Sequence, residues 1–337
     1  MKKIRGRPGL LALLAILALI PSAFPESLRK LNLFPAQQSK EAFSRPTEDL
    51  TDQPLRMDVD LVLVPVMVTD VLNRPITGLE KDRFAVYQDG ARQQISYFSS
   101  EDGPISVGVL LDLSGSMNYK FAVERAAVSE FFRNANAQDD YFVITFSDHP
   151  TLVTNGARSI EAIQSDLAMQ KPDGPTALFD AIDLAIARMR FAKYRRRALL
   201  VISDGGDNYS RHSLRQSKKF ARDSDVWIYA IGIFGTGQFR TLEESLGQRW
   251  LNEITEATGG RTIAVDLPKV PEAAAAISQE IRNQYVLGYK PSRTPHDGKP
   301  QKIKIKVEVS LSARQRYTYY KTGFVPAGNK ALSLYDK

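Results

Sequence analysis

Apolar and polar positions change rhythm along the chain. Between Met57 and Ser99, Val62, Val64, Val66 and Val68 fall at every second position, which predicts a strand ending near Asp70. Leu61, Leu63 and Met67 make its other face apolar as well. Pro65 among them places the strand at a sheet edge, because proline has no N–H for a ladder. Asn73 to Pro75 reads as a turn. Short strands are predicted around Phe84–Tyr87 and Gln94–Phe98, with Asp89-Gly90 between them as a hairpin turn.

From Ile105 the rhythm alternates between strand and helix. Ser106–Leu111 reads as a buried strand, and Lys120–Asn134 as an amphipathic helix carrying Val123, Ala127, Phe131 and Phe132. Tyr141–Phe146 is a strand, helices follow near Ser159–Met169 and Ala177–Phe191, and Ala198–Ser203 is a further strand. The helix Ser213–Arg222 precedes the strand Val226–Ile233, and Leu251–Thr258 and Pro271–Asn283 complete the helices, with Arg261–Val265 as an edge strand. Repeated βα units predict an α/β fold with a doubly wound, mainly parallel sheet covered by helices on both faces. After Gln284 the period returns to two, at Tyr285–Tyr289, at Ile303, Ile305, Val307 and Val309 beyond a turn-rich stretch, and at Arg316–Tyr320. Strands thus flank the α/β block on both sides, and they are expected to pair as an accessory β-sandwich or sheet.

The N-terminal stretch has a different texture. Lys2, Lys3, Arg5 and Arg7 precede an uninterrupted apolar run from Leu10 to Ile20, followed by Pro21, Ser22 and Ala23, the pattern of a secretory signal. The run is shorter than the ~20 residues that cross a bilayer, and no later segment is apolar enough to span, so no stable transmembrane span is expected in the mature chain; an uncleaved anchor is the alternative. The polar, proline-punctuated segment from Phe24 to Leu55 reads as a linker. The expected organisation is a signal peptide at 1–23, a linker at 24–55, an N-terminal β segment at 56–100, the α/β domain at 101–283, a C-terminal β segment at 284–325 and a tail at 326–337.

Composition narrows the function classes. With 43% hydrophobic and 25% charged residues the chain is neither collagenous nor broadly disordered. Its formal charge is +7, but four of those charges lie in the signal segment, and 7 − 4 leaves about +3, too little to point to nucleic acid. The absence of cysteine excludes disulfides, thiolate metal sites and a lipid-bearing cysteine. Export without cysteine suits a bacterial envelope protein, whether periplasmic, at the cell surface or released.

The chemistry concentrates in VGVLLDLSGSMN, residues 107–118, an apolar strand that delivers Asp112, Ser114 and Ser116 at its C-terminal end. In a doubly wound sheet ligands gather in the crevice at those ends, where the strand order reverses. Side chains at alternate positions can point into one pocket, and Gly115 permits the tight turn that follows. Two more loops carry oxygen donors to the same edge: DGPTALFDAI, where Thr176 begins a helix, and VISDGGDN, where Asp204 ends a strand. Hydroxyls and carboxylates without sulfur or imidazole favour a hard cation, Mg²⁺ first and Mn²⁺ or Ca²⁺ behind it.

These three motifs, in this order, resemble the metal-ion-dependent adhesion site of von Willebrand factor type A and integrin I domains. The resemblance covers roughly Ile105 to Asn283. It implies that Ser114, Ser116 and Thr176 bind the metal through hydroxyls, that Asp112 and Asp204 act directly or through water, and that a partner protein supplies an Asp or Glu carboxylate as the remaining ligand. VTDVLNRPITGLEKDRFAVYQDG and QYVLGYKP are also similar to segments of a bacterial subfamily of exported A-domain proteins.

The expected function is therefore an exported, non-enzymatic adhesion or protein-binding module. A metal-dependent phosphohydrolase would also place Asp at the end of the first strand. The nucleophilic Asp of haloacid-dehalogenase-like enzymes is normally followed two residues later by Asp, whereas this chain has Ser114; no lysine accompanies the other motifs in the expected way, and no P-loop is evident. A non-catalytic envelope scaffold is the third reading. Asp207 and Asn208 read as turn or outer-shell residues, and Asp148, Asp173 and Asp180 as solvated or capping groups. His149, His212 and His296 read as surface residues, Tyr194–Arg197 as a solvated helix end, and Arg314–Lys321 as an ordinary strand.

Overall fold

A computed structural model describes residues 61–71, 73–100, 103–155, 160–234, 242–291, 301–308 and 316–324. The signal segment, linker and tail read from the sequence, together with His296 and Val309, lie outside the described residues. The chain divides into Met1–Arg56 and Met57–Lys337, and everything below concerns the second unit.

In chain order β1 (Val62–Asp70), β2 (Phe84–Gln88), β3 (Ala91–Gln93) and β4 (Ile95–Ser99) come first. The α/β block follows with β5 (Ser106–Asp112), α1 (Phe121–Arg133), β6 (Asp140–Phe146), β7 (Pro150–Asn155), α2 (Ile160–Ala168) and α3 (Leu178–Arg188). It continues with β8 (Arg197–Ser203), α4 (Leu214–Asp223), β9 (Trp227–Ile233), α5 (Leu242–Thr258), β10 (Thr262–Val265) and α6 (Val270–Arg282). The last strands are β11 (Tyr285–Tyr289), β12 (Gln301–Val307), β13 (Arg316–Tyr320) and β14 (Gly323–Phe324).

The block is built on a six-stranded sheet of order β10-β9-β8-β5-β6-β7, parallel except for β7, which pairs antiparallel with β6. Every residue of β5 is buried because helices cover both faces. On one side Val107, Val109 and Leu111 pack with Ala127 and Phe131 of α1 and Ile277 and Ile281 of α6. On the other, Leu110 joins Leu178, Ile182 and Ile186 of α3 and Ile254 of α5. Each of these Val, Leu, Ile and Phe side chains contributes about 1.5–3 kcal/mol when fully buried, so the central strand is fixed from both faces. From β5 the chain moves out to β6 on one flank and returns to β8 on the other. The order reverses between β5 and β8, and the crevice at their C-terminal ends is where Asp112 and Asp204 emerge.

The flanking strands pair across the α/β block into two four-stranded sheets, β13-β1-β11-β4 and β14-β12-β2-β3. Val64, Val66, Val68, Tyr285 and Leu287 of the first pack against Phe84, Val86, Ile303 and Ile305 of the second. Met67, on the opposite face of β1, joins the α/β core instead, while Leu61 and Leu63 on that face are exposed.

Four details differ from the sequence reading. β1 is an interior strand, between β11 and β13; Pro65 is tolerated because pairing with β13 begins only at Val66. Asp89-Gly90 does turn a hairpin, with φ of 47° and 87°, as a two-residue type I′ turn requires. Its return strand is the short β3, however, and β4 departs to the other sheet. The antiparallel strand β7 was not anticipated, and α5 begins nine residues before the expected Leu251.

Candidate metal centre

Asp112 is the last residue of β5, and its carboxylate is fully buried. Its Oδ1 accepts the Ser114 N–H at 2.9 Å, and its Oδ2 accepts the Ser203 hydroxyl at 2.5 Å. The Ser203 Oγ in turn accepts the Gly205 N–H at 2.8 Å. One hydroxyl therefore ties the end of β5 to the loop that carries Asp204. Beyond Asp112 the chain makes a single 3-10 turn, Gly115–Met117, which leaves the Ser114 and Ser116 hydroxyls 3.1 Å apart.

The second loop is locked to the first by main-chain bonds, from Gly115 N–H to Gly174 O at 3.0 Å and from Asp173 N–H to Leu113 O at 2.8 Å. Gly174 has φ +85°, and there the glycine is needed. Gly115, expected to permit a tight turn, lies outside the left-handed region, and a Cβ there would meet Gly174 O at 3.6 Å and Gly174 N at 3.8 Å, ordinary van der Waals contacts. Thr176 is buried two residues before α3, so it precedes the helix rather than beginning it. Its N–H donates to Asn208 Oδ1 at 2.8 Å, and its carbonyl accepts the Asn208 and Tyr209 amides. Asn208 thus holds Thr176 in place, and Asp207 Oδ2 caps α3 by accepting the Phe179 N–H at 3.0 Å.

Two residues that the sequence reading passed over complete the surroundings. Lys120, at the N-cap of α1, is buried, and its Nζ donates to Asp204 Oδ2 at 3.0 Å. Glu124, one turn further along, is fully buried; its Oε1 accepts the Asp112 N–H at 3.0 Å, and its Oε2 has no hydrogen-bond partner. Lys120 lies just beyond the 107–118 motif and outside the other two, so it was not among the candidates read from the sequence. A signal was present: positions 120, 124, 127, 128 and 131 share one helical face, the one buried against the sheet.

Burial and the neighbouring Asp204 charge push the Asp112 carboxyl up to about 7, against the hydrogen bonds from Ser114 and Ser203. Burial, then the Asp112 charge, raises Glu124 well above the usual carboxylate range. Such a pocket favours an added positive charge. The donor chemistry fits a hard cation, since two oxygens bound to Mg²⁺ at adjacent octahedral positions are about 2.9–3.0 Å apart, and Ser114 and Ser116 hold theirs at 3.1 Å. Among the described residues no three His, Asp or Glu side chains converge as a carboxylate–imidazole cluster.

The remaining candidates have structural duties. Asp148 and Asp173 are exposed. Asp180 accepts the Arg211 and His212 amides, and His212, half-buried, pairs with Asp183 at 2.8 Å. The Tyr194–Arg197 cluster is not simply a solvated helix end: Arg196 donates to the carbonyls of Gly103 and of Ile281 and Arg282 at the end of α6.

Comparison with known proteins places this architecture. Residues 107–206 match the family model described as the von Willebrand factor type A domain. No curated protein matches the chain in sequence. Among solved structures, an aerotolerance-related membrane protein from Bacteroides fragilis is 22% identical with a TM-score of 0.44, covering 52% of this chain and 98% of that one. A von Willebrand factor type A protein from Catenulispora acidiphila is 11% identical with a TM-score of 0.47, covering 80% of this chain and 74% of that one. Proximal thread matrix protein 1 from the mussel byssus, with a zinc-occupied MIDAS motif, is 17% identical with a TM-score of 0.42; the match covers 58% of this chain and 49%, about half, of that one. The sheet order, the loops at its switch point and the matched residues together identify this part of the chain as a von Willebrand factor type A domain.

Proposed function

We propose that the chain is an exported protein-binding module that captures an Asp or Glu carboxylate of a partner through a divalent cation. Ser114, Ser116 and Thr176 supply hydroxyl ligands, and Asp112 and Asp204 act directly or through water, with Mg²⁺ the first choice and Mn²⁺ or Ca²⁺ behind it. The observation that carries this reading is the pair of serine hydroxyls 3.1 Å apart beside two buried aspartates, on loops tied together by main-chain bonds. When bound, the cation would supply a Lewis-acidic position open to a further oxygen. The chain's own part is to orient the donors: Ser203 fixes Asp112, and Asn208 fixes Thr176.

The burial of Asp112 weighs against a phosphohydrolase. Both its oxygens are held by hydrogen bonds, whereas a nucleophile must face its substrate. The basic and apolar stretch from Lys2 to Ala23 supports export, and no helix among the described residues is long and apolar enough to cross a membrane.

Calorimetric titration of the purified protein with Mg²⁺ and Mn²⁺ tests the reading. Saturable binding that disappears in Thr176→Ala, with the fold retained by circular dichroism, is expected. A folded wild-type protein that takes up neither cation overturns it.

A further inference from the structure

The Lys120–Asp204 pair is unlike the other ion pairs among the described residues in its position. The ammonium and the carboxylate are only 5% and 9% exposed, and the carboxylate belongs to the candidate metal centre. Other buried pairs, such as Arg282–Asp139 and Arg261–Glu280, lie outside that site and join α6 to its neighbours.

We propose that Lys120 is a built-in cation that neutralises Asp204 while no metal is bound and competes with a divalent ion for that carboxylate. The inference rests on the metal-bridge reading of the same site. For Asp204 to serve a divalent cation fully, Lys120 must release Oδ2, because two positive centres on one buried carboxylate repel each other strongly where water is excluded. Glu124 gives the displaced ammonium a destination. It lies four residues further along α1, the spacing at which helix side chains meet, and its buried Oε2 has no hydrogen-bond partner. Lys120 therefore sets the cation concentration at which the site fills, and it lets the metal-free protein keep its carboxylates buried.

The opposite arrangement makes a distinct prediction. A lysine that merely oriented Asp204 for the metal, as outer groups orient ligands elsewhere, would strengthen cation binding.

Calorimetric Mg²⁺ titration of wild type and Lys120→Met separates these outcomes. Binding at least about tenfold tighter in the variant, equal to about 1.4 kcal/mol, is expected. Binding by the variant alone also supports the role of Lys120, while overturning metal capture by the wild-type protein. Equal or weaker binding by Lys120→Met, with the wild type still binding, overturns the competition and leaves the proposed function standing; binding by neither folded protein overturns both. If Lys120→Met does not fold, Lys120→Gln, which removes the charge and keeps a donor for Asp204, carries the same comparison.

Discussion

Ser203→Ala perturbs the site without replacing any proposed metal ligand, by removing a hydrogen bond to one of them, Asp112. The Ser203 hydroxyl is fully buried, donates to Asp112 at 2.5 Å and accepts from Gly205 at 2.8 Å. A hydrogen bond to a charged acceptor contributes about 1.5–3 kcal/mol, and a buried amide left without a partner costs about 1–3 kcal/mol. The two effects overlap, so a loss of about 3 kcal/mol is expected at pH 8, where Asp112 is mostly ionised. At pH 5 Asp112 holds its proton in the folded state, the bond is neutral, and the loss falls to about 2 kcal/mol. The sign follows from linkage: a carboxyl raised on folding costs stability as pH climbs from its unfolded value, about 4, through about 7. Removing the Ser203 bond raises it further and steepens that decline. Urea unfolding at both pH values, with the m-value unchanged, measures the difference. A loss below about 1 kcal/mol at both would refute the view that this hydroxyl joins the two loops.

Two further predictions concern neighbouring features. In Gly247→Ala the new Cβ would lie 2.6 Å from the Gly205 carbonyl carbon and 2.7 Å from Asp204 O, backbone atoms that cannot turn aside. Overpacking of about 1–3 kcal/mol should exceed the gain of about 1 kcal/mol in helix propensity, so urea unfolding should show net destabilisation; net stabilisation would contradict the close seating of α5. Burial, against the hydrogen bond from Ser217 and the His212 pair, raises Asp183 from 3.8 to about 6, so its folded form keeps a proton that the unfolded chain releases between those values. Asp183→Asn should therefore lose stability less steeply from pH 4 to 7, by on the order of 3 kcal/mol (6 − 3.8 ≈ 2 units at 1.36 kcal/mol each); parallel stability curves for the two proteins would contradict this.

The alternation of strands with helices was legible because β5, β8 and β9 are buried on both faces and read as continuous apolar runs. The donor motifs were legible because they sit where those runs end. Lys120 and Glu124 were harder to read, since their charge hid the fact that they share the apolar stripe of α1 with Ala127 and Phe131. The place of β1 could not follow from Pro65 alone: whether a proline needs an edge depends on where the neighbouring strand stops, and β13 lies some 250 residues away. Gly115 looked indispensable by its motif, yet the left-handed conformations fall to Gly174 and Gly205, one in each of the other loops.

The pairing of the flanking strands has a mechanical consequence. Ser99 and Val286 are partners across β4 and β11, so the α/β block leaves and re-enters the sandwich at one place, as an insertion. The pairing of β1 with β13 begins at Val66, midway along β1, with Tyr320, the last residue of β13, and runs to Asp70 with Arg316. Tension drawn between the chain before β1 and the chain after β14 would therefore meet the β1–β11 pairing at one end and the short β12–β14 pairing at the other before it peels β1 from β13. Lys321 Nζ donates to the Ser224 carbonyl and Arg261 lies over the Tyr319 ring, so part of that load would enter the inserted domain ahead of β9 and β10, at the edge of the sheet opposite the loops that follow β5 and β8.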